Sequence, residues 1–172
     1  MTTKEIEVLN VSDVDSKLLK RFRCQETNLA TFLKQWAVPF HNAGAGNSTL
    51  FINKEKDDII GYFTLKCSCV RVHDTEMDPD PRFIPAIEIS RFALDDRYQK
   101  KGLGKAIFGF ALKTIEKIRE QYIGAQVVIL FALPNVTEFY RKFGFEELDK
   151  TMSTYECNDN VECICMYSML GK

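Results

Sequence analysis

The sequence predicts a single domain of the α/β (α+β) class that spans residues 1–172. Three observations support this prediction. The length suits one domain with a sizeable core. Strand-like runs outnumber helical runs, and helices fall between some of the strands. No repeat or linker composition divides the chain, and its 45% hydrophobic content is typical of a globular protein.

Composition restricts the classes of function. A formal net charge of −1 provides no global attraction to nucleic acid or membrane, so any anion site must be built locally. No apolar run reaches the roughly 18 residues of a membrane span, and the first residues lack the core of a secretion signal. We therefore expect a cytoplasmic protein without a membrane partner. Six cysteines and two histidines fit no zinc signature, so we expect free thiols and no metal site.

The first half of the chain predicts strands at 6–9, 48–52 and 59–72 and helices at about 12–22 and 27–38. The second helix is the better marked, because its apolar residues recur at intervals of three and four. Thr27 or Asn28 is placed to cap this helix. Pro39 predicts that it ends by Ala37 or Val38, because a proline disfavours helical backbone in the preceding residue.

Residues 86–121 organise the second half. An apolar strand up to Leu94 leads into a turn rich in lysine and glycine, and a long helix with an apolar stripe follows. A buried strand is predicted at 126–132. Asn135 has capping-box spacing and opens a helix that ends at Gly144. The last predicted strands lie at 145–148 and 161–170.

The turn has the composition of an anion-binding site. A helix N-terminus carries unpaired N–H groups and about half a positive charge. Gly102 and Gly104 lack the Cβ atoms that would keep phosphate oxygens from the backbone. Lys100, Lys101 and Lys105 add positive charge. Taken alone, the turn is equally compatible with a purely structural helix start.

Spacing excludes two other glycine-rich motifs. A Walker A loop ending at Lys105 needs glycine at position 99 and Ser or Thr at 106, where the chain has Gln99 and Ala106. The dinucleotide-binding fingerprint needs a third glycine where Ile107 stands. The turn therefore matches neither class of nucleotide site.

Two motifs about 35 residues apart resemble the signatures of the GNAT superfamily of acetyl-CoA-dependent N-acetyltransferases. The first signature is (Gln or Arg)-x-x-Gly-x-(Gly or Ala) between a strand and a helix. The second is a helix that carries a tyrosine and ends in a Gly-Phe turn. In this chain they read Gln99-Lys100-Lys101-Gly102-Leu103-Gly104 and Phe139-Tyr140-Arg141-Lys142-Phe143-Gly144-Phe145.

The chain is also similar to a GNAT subgroup that includes toxins of toxin–antitoxin pairs, through the run from Arg91 to Gln99. Known toxins of this kind acetylate the amino group of aminoacyl-tRNA. The chain departs from the family at Leu133, where many members place an asparagine that helps to bind the cofactor. The basic residues that could form a local patch for tRNA are Arg97, Lys100, Lys101, Lys105, Lys113, Lys117, Arg141 and Lys142.

The resemblance implies a fold and a reaction. The expected fold is a central mixed, mostly antiparallel sheet of about six to seven strands, splayed at the cofactor site and flanked by about four helices. The expected reaction is direct acetyl transfer from acetyl-CoA to a primary amine, with CoA as product. One alternative is a toxin that acetylates aminoacyl-tRNA and pairs with an antitoxin protein. Another is a non-catalytic acyl-CoA-binding module. A homodimer is possible.

Roles for individual residues follow from the resemblance and from chemistry. Turn N–H groups would bind the pyrophosphate, and the strand before the turn would pair with the pantetheine arm. The Leu94 N–H would stabilise the developing oxyanion. Tyr140 would protonate the leaving thiolate, and Glu88 would accept the amine proton through water. The expected cofactor-binding residues are Phe92, Ala93, Leu94, Gln99, Lys100, Lys101, Gly102, Leu103, Gly104 and Lys105.

Overall fold

The structure, a computed structural model, describes residues 5–74, 79–154 and 162–171. The described chain divides into two compact units. The first unit contains the residues up to 66 together with 90–113. The second contains 67–89 and the residues from 114 onward. That the whole chain acts as one domain stays a prediction.

The helices and strands follow the predicted order. In the first part of the chain they are β1 (Ile6–Asn10), α1 (Ser16–Lys20), α2 (Thr27–Thr31), a π-helical segment (Phe32–Trp36), α3 (Ala37–Asn42) and β2 (Asn47–Asn53). They continue with β3 (Asp58–Val72), β4 (Arg82–Leu94), α4 (Leu103–Gln121) and β5 (Val127–Ala132). The last are α5 (Thr137–Arg141), β6 (Glu146–Glu147), β7 (Met152–Ser153) and β8 (Ile164–Met169).

The strands form one eight-stranded mixed sheet in the order β1-β2-β3-β4-β5-β8-β6, with β7 paired to β3. This confirms the α/β class. The sheet has more strands than the six to seven expected, and two of its strands, β6 and β7, are only two residues long. β4 runs parallel to β5, whereas β5–β8 and β6–β8 are antiparallel. The β4–β5 ladder pairs Ala86–Ile89 with Val127–Leu130, so β4 extends past it by five residues.

In the first unit an aromatic cluster joins the short helices to the sheet. Tyr62 on β3 is fully buried, and its ring meets the edge of Phe22 at a centroid distance of 5.6 Å. The Tyr62 hydroxyl donates a 2.8 Å hydrogen bond to the carbonyl of Leu29 on α2. Buried aromatic side chains contribute large apolar areas, and a buried tyrosine hydroxyl needs such an acceptor. These contacts fix α2 against β3.

The prediction that the second helix ends by Ala37 or Val38 is wrong. The π-helical segment interrupts the helix, and Trp36 at its end has a φ of −112°. α3 therefore begins anew at Ala37 and reaches Asn42. Pro39 lies in the first turn of α3, where a backbone N–H has no helical partner and proline is tolerated.

Two further expectations change in the second unit. α5 begins after a 3₁₀ turn (Pro134–Val136), and its cap residue Val136 makes no side-chain capping bond, so Asn135 is not the cap. β4 begins at Arg82, four residues before the predicted start of the strand at 86, and it includes Pro85. Gly144 ends the α5 segment as predicted, with a φ of +80° that favours glycine.

The second unit has its own small core. Val70, Ala86, Val127 and Ile129 are buried together on β3, β4 and β5. No helix within the described residues is long and apolar enough to cross a bilayer. Among the described cysteines, Cys24, Cys67 and Cys69 are free thiols, as expected from the sequence. Cys157 lies outside the described residues.

Candidate active site

The predicted anion turn connects β4 to α4 in the first unit. Lys100 and Gly102 both have positive φ, at +59° and +77°. Left-handed residues within a turn can aim successive N–H groups into one concavity that suits an anion. α4 then starts at Leu103 with no acidic residue in its first turn. The unpaired N–H groups and positive end of a 19-residue helix therefore meet a turn with anion-binding geometry.

Side chains of the turn bond back to the chain itself. The Gln99 side-chain amide donates to the Leu94 carbonyl at 3.3 Å and to Asp96 Oδ1 at 3.1 Å. Lys101 Nζ donates to the Arg97 carbonyl at 2.7 Å and lies 5.5 Å from the ring centre of the buried Tyr98. These contacts brace the turn from within the chain. The binding roles predicted for Gln99 and Lys101 stay predictions.

The turn begins with an ion pair between the buried carboxylate of Asp95 and the exposed guanidinium of Arg97. Arg97 donates to both carboxylate oxygens of Asp95, at 2.7 and 2.9 Å, and forms an ion pair with Asp58 at 2.8 Å. The bonds from Asp95 and Asp58 raise the pKa of Arg97 further above its ordinary value. Burial alone would raise the pKa of Asp95. Bonds from the Arg97 side chain and from two backbone N–H groups outweigh that effect and lower it.

The β4 segment that leads into the turn depends on a glycine in β3. A Cβ atom on Gly61 would lie 2.7 Å from the Ala93 carbonyl oxygen and 3.3 Å from Leu94 Cα. Next to it, the Asp95 N–H donates to the Ile60 carbonyl at 2.9 Å. On the α4 side, the ring of Phe92 meets the edge of Phe108 at 5.3 Å. The backbone expected to face the thioester is therefore held closely against β3 and α4.

Tyr140 lies on α5 in the second unit and is buried. Its ring packs edge-on against Phe139 at 5.2 Å and against Phe145 at 6.3 Å. Its carbonyl accepts a 2.9 Å bond from the Phe143 N–H, which closes the end of the helix. Burial raises the pKa of the Tyr140 phenol well above its ordinary value near 10. The phenol is therefore protonated at neutral pH, and because its pKa exceeds that of a thiol, proton donation to a leaving thiolate would have to be concerted with bond cleavage. The role of Tyr140 as the acid stays a prediction.

Glu88 also lies in the second unit, on β4 opposite Ile129 of β5. Only 6% of Glu88 is accessible. A carboxylate that deep needs polar partners or a function. Its role as a base through water stays a prediction.

The structure thus groups the predicted residues into two sets. The end of β4 and the turn belong to the first unit, whereas Glu88 and Tyr140 belong to the second. Sequence reasoning missed Asp95 and Gly61 as residues that shape the turn. The Asp95-x-Arg97 spacing could have indicated the local part of the ion pair. The sequence gives no local indication of the contacts that Asp95 makes with Arg23 or that Gly61 makes with Ala93.

A strand, a turn with left-handed residues and a long helix in the first unit, and a buried tyrosine near a Gly-Phe turn in the second, are features expected of a transferase that uses a phosphorylated acyl carrier. The profile of the acetyltransferase (GNAT) domain matches residues 20–159. Since this is most of the chain, the protein belongs to the GNAT family of acetyltransferases.

The chain is similar to several toxins. It is 28% identical over 142 residues to a tRNA-acetylating toxin of Mycobacterium tuberculosis (strain H37Rv), covering 79% of this chain and 81% of the relative. A tyrosine-to-phenylalanine mutant of the toxin AtaT, bound to the C-terminus of the antitoxin AtaR and acetyl-CoA, superposes with a TM-score of 0.71 at 20% identity, covering 96% and 93%. AtaT complexed with acetyl-methionyl-tRNAfMet superposes with a TM-score of 0.72 at 21% identity. The match covers 87% of this chain and 94% of the AtaT chain. These superpositions establish the GNAT fold.

Proposed function

We propose that the protein transfers an acetyl group from acetyl-CoA to the primary amine of an aminoacyl-tRNA, and that it acts as the toxin of a toxin–antitoxin pair. The observation that supports acetyl-CoA as the donor is the turn with positive φ at Lys100 and Gly102, directly before α4. The observation that favours this acceptor is the similarity to a tRNA-acetylating toxin along four fifths of both chains.

Acetyl-CoA is the donor. The N–H groups from Lys101 to Lys105 bind its pyrophosphate, and the open space above Gly102 leaves room for phosphate oxygens. The end of β4, from Phe92 to Leu94, lies beyond the β5 ladder and pairs with the pantetheine arm. The Leu94 N–H then donates to the thioester carbonyl, where negative charge develops.

The transfer is a direct attack within a complex of enzyme, donor and acceptor. The neutral amine forms a bond from its nitrogen to the thioester carbon, and the carbon–sulfur bond breaks. Tyr140 protonates the leaving thiolate, and the amine proton passes to Glu88 through water.

The charges of the described residues narrow the surface available to tRNA. Arg97 is held by two aspartates, and Arg141 pairs with Glu138 and Glu147, so these two arginines are removed from the predicted basic patch. The remaining residues of the predicted basic patch are exposed lysines of the turn, of α4 and of the end of α5. They are Lys100, Lys101, Lys105, Lys113, Lys117 and Lys142. Phosphate contacts from such lysines would make activity fall steeply with salt.

Release of CoA thiol from acetyl-CoA tests the proposal. The acceptor panel contains a set of aminoacylated tRNAs, the same tRNAs without amino acid, free amino acids, polyamines and short peptides. We expect release with at least one aminoacylated tRNA and none with its uncharged form, because the amine is the nucleophile. Mass spectrometry of the released amino acid should show one added acetyl group.

Other outcomes point to other functions. Turnover of a polyamine or peptide, with none of any aminoacyl-tRNA, would overturn the acceptor and keep the donor. Binding of acetyl-CoA without turnover on the whole panel would favour the acyl-CoA-binding module. As a toxin, the protein would act in the cytoplasm and arrest growth on expression, and an antitoxin encoded beside it would relieve the arrest. Homodimer formation stays a prediction that light scattering can check.

A further inference from the structure

Asp95 is a fully buried carboxylate at the junction of β4 and the turn. Burying a charge costs several kcal/mol unless hydrogen bonds replace its water. Asp95 Oδ1 accepts from the Arg97 N–H at 3.0 Å and from Arg97 Nε at 2.7 Å. Its Oδ2 accepts from Arg97 Nη2 at 2.9 Å and from the Arg23 N–H at 2.9 Å. Both oxygens are therefore saturated, and one of the bonds reaches a distant part of the chain.

That distant part is the connection between α1 and α2. Besides the bond from the Arg23 N–H to Asp95, the Asp96 N–H donates to the Arg23 carbonyl at 2.9 Å. The Gln25 N–H donates to Asp96 Oδ1 at 3.1 Å. Three hydrogen bonds thus join residues 23–25 to the two residues that open the turn. α2 begins immediately afterwards, at Thr27.

The same two aspartates also define the turn itself. Asp95 caps the 3₁₀ turn (Asp96–Tyr98) through the Arg97 N–H, and Asp96 Oδ1 accepts from the Gln99 side chain. Residues 23–25 and the anion turn are therefore bonded to the same side chains. An event that fixes one is expected to restrict the other, since the two share bonds whose geometry must be kept.

We propose that Asp95 is a positioning residue that joins residues 23–25 to the cofactor turn, so that occupation of the turn restrains residues 23–25, which lead into α2. The inference rests on the proposed donor site. It goes further, because it makes the connection between α1 and α2 a part of the molecule that responds to the donor. Asp95 itself touches neither substrate and acts through the backbone of residues 96–102.

Hydrogen exchange of the unmodified protein gives the first test, with CoA as the probe. We expect saturating CoA to slow exchange at the turn amides and also at the N–H groups of Arg23 and Gln25. Peptides from β1 should be unaffected. Slower exchange at the turn without any change at 23–25 would overturn the inference. Absence of CoA binding by calorimetry would instead refute the proposed donor site, on which the inference rests.

The substitution Asp95→Asn gives the second test. Asparagine keeps the shape but replaces one acceptor oxygen by an NH₂ group, so one of the two pairs of donors loses its acceptor and the bonds that link Arg23 and Arg97 through this side chain cannot all form. We expect KM for acetyl-CoA to rise about tenfold, with kcat at saturation changed less than about threefold, because the reacting groups are untouched. The CoA-dependent protection at 23–25 should disappear.

Asp58→Asn is the matched control, because it removes the other carboxylate from Arg97 and leaves the bond to Arg23. Its KM should change less than about threefold, and the protection at 23–25 should persist. Equal KM values for Asp95→Asn and the unmodified protein, with protection retained, would overturn the inference. If Asp95→Asn fails to fold, the exchange experiment on the unmodified protein decides alone.

Discussion

The cofactor turn and the surroundings of Tyr140 are stabilised by opposite means. Around the turn, side chains and backbone are joined by charged hydrogen bonds centred on Asp95 and Arg97. Around Tyr140, two aromatic rings, those of Phe139 and Phe145, pack edge-on against the side chain. The first arrangement depends on which atoms donate and accept. The second depends on ring shape.

Because of this difference, we expect a substitution at Tyr140 to affect activity without affecting stability, and a substitution at the turn to affect both. Removal of one oxygen from Tyr140 leaves every ring contact in place, so activity can fall without loss of the fold. At the turn, the groups that define the backbone geometry also belong to the proposed anion site, so we expect a substitution there to change stability and CoA binding together.

Tyr140→Phe should lower kcat by about 100-fold or more, because a positioned general acid contributes at least that factor. KM for acetyl-CoA and the melting temperature should change little. The raised pKa of Tyr140 also predicts that the unmodified enzyme keeps its acid form from about pH 6 to about pH 9, without an alkaline loss of rate from this group. Initial rates of CoA release across this pH range check both statements.

Tyr122→Phe is the matched control, since Tyr122 is 72% exposed and follows the end of α4. It should leave kcat, KM and melting temperature unchanged. Equal rates for Tyr140→Phe and the unmodified enzyme on an established substrate would remove Tyr140 from the acid role. A large drop in melting temperature would show that its hydroxyl is needed for the structure, contrary to the contrast drawn here.

Asp95→Asn should reduce the free energy of unfolding by about 2 kcal/mol at neutral pH, because hydrogen bonds to a buried charge are lost. The pKa of Asp95 is lower in the folded protein than in the unfolded chain. Its charge therefore contributes its full stability above the unfolded pKa of about 3.9. That contribution is lost as the pH falls through the folded pKa. The difference between the two proteins should shrink below about pH 4 in urea unfolding.

Asp57→Asn provides the comparison for that experiment, because Asp57 pairs with Arg21 on the exposed surface. It should change stability by less than about 1 kcal/mol at any pH. A difference between Asp95→Asn and the unmodified protein that stayed constant down to pH 3 would assign the loss to packing rather than to charge.

Gly61→Ala should destabilise the protein by about 2 kcal/mol, because its Cβ would lie 2.7 Å from the backbone oxygen of Ala93. To relieve this close contact, β4 must shift near Leu94. If the Leu94 N–H polarises the thioester, kcat should therefore fall as well. Urea unfolding and steady-state kinetics measure the two effects. A stable variant with normal kcat would exclude this close contact as a determinant of the site.

The sequence was sufficient where its signal is local and periodic. The α4 helix has a continuous apolar stripe, and the turn before it has the spacing of its family, so both were predicted at the right positions. The π-helical segment was not, because its i→i+5 bonds leave the apolar positions nearly at helical spacing. The helix end predicted from Pro39 was wrong because the effect of a proline depends on its distance from the start of the helix. The apolar spacing does not show that α3 begins at Ala37.

Contacts between distant residues explain the rest of what the sequence did not reveal. The Arg23 N–H and the Asp95 carboxylate are 72 positions apart and meet only in the tertiary structure. The close approach of Gly61 to Ala93 likewise depends on strand register. The burial of Glu88 follows from its place opposite Ile129 in the parallel β4–β5 ladder. Such features arise from tertiary structure, and no local pattern encodes them.

Gly102→Ala should produce the smallest of these effects at the turn, about 1 kcal/mol in stability or in CoA binding. A Cβ there would touch nothing within 4 Å, so the cost comes only from a φ of +77°, which alanine adopts reluctantly. Calorimetry with CoA and urea unfolding show whether the variant keeps the turn at lower stability or shifts it and binds CoA less tightly.

Gly109→Ala separates backbone conformation from added bulk. Gly109 also has nothing within 4 Å of a Cβ position, but it lies inside α4 with helical backbone. Alanine should therefore raise stability by about 1 kcal/mol and leave CoA affinity unchanged. If alanine lowers stability at Gly102 and raises it at Gly109, the turn is maintained by its left-handed backbone, as the proposed anion site requires. If both substitutions stabilised the protein and left CoA binding intact, positive φ at Gly102 would be dispensable, and the turn would owe its anion affinity to its lysines alone.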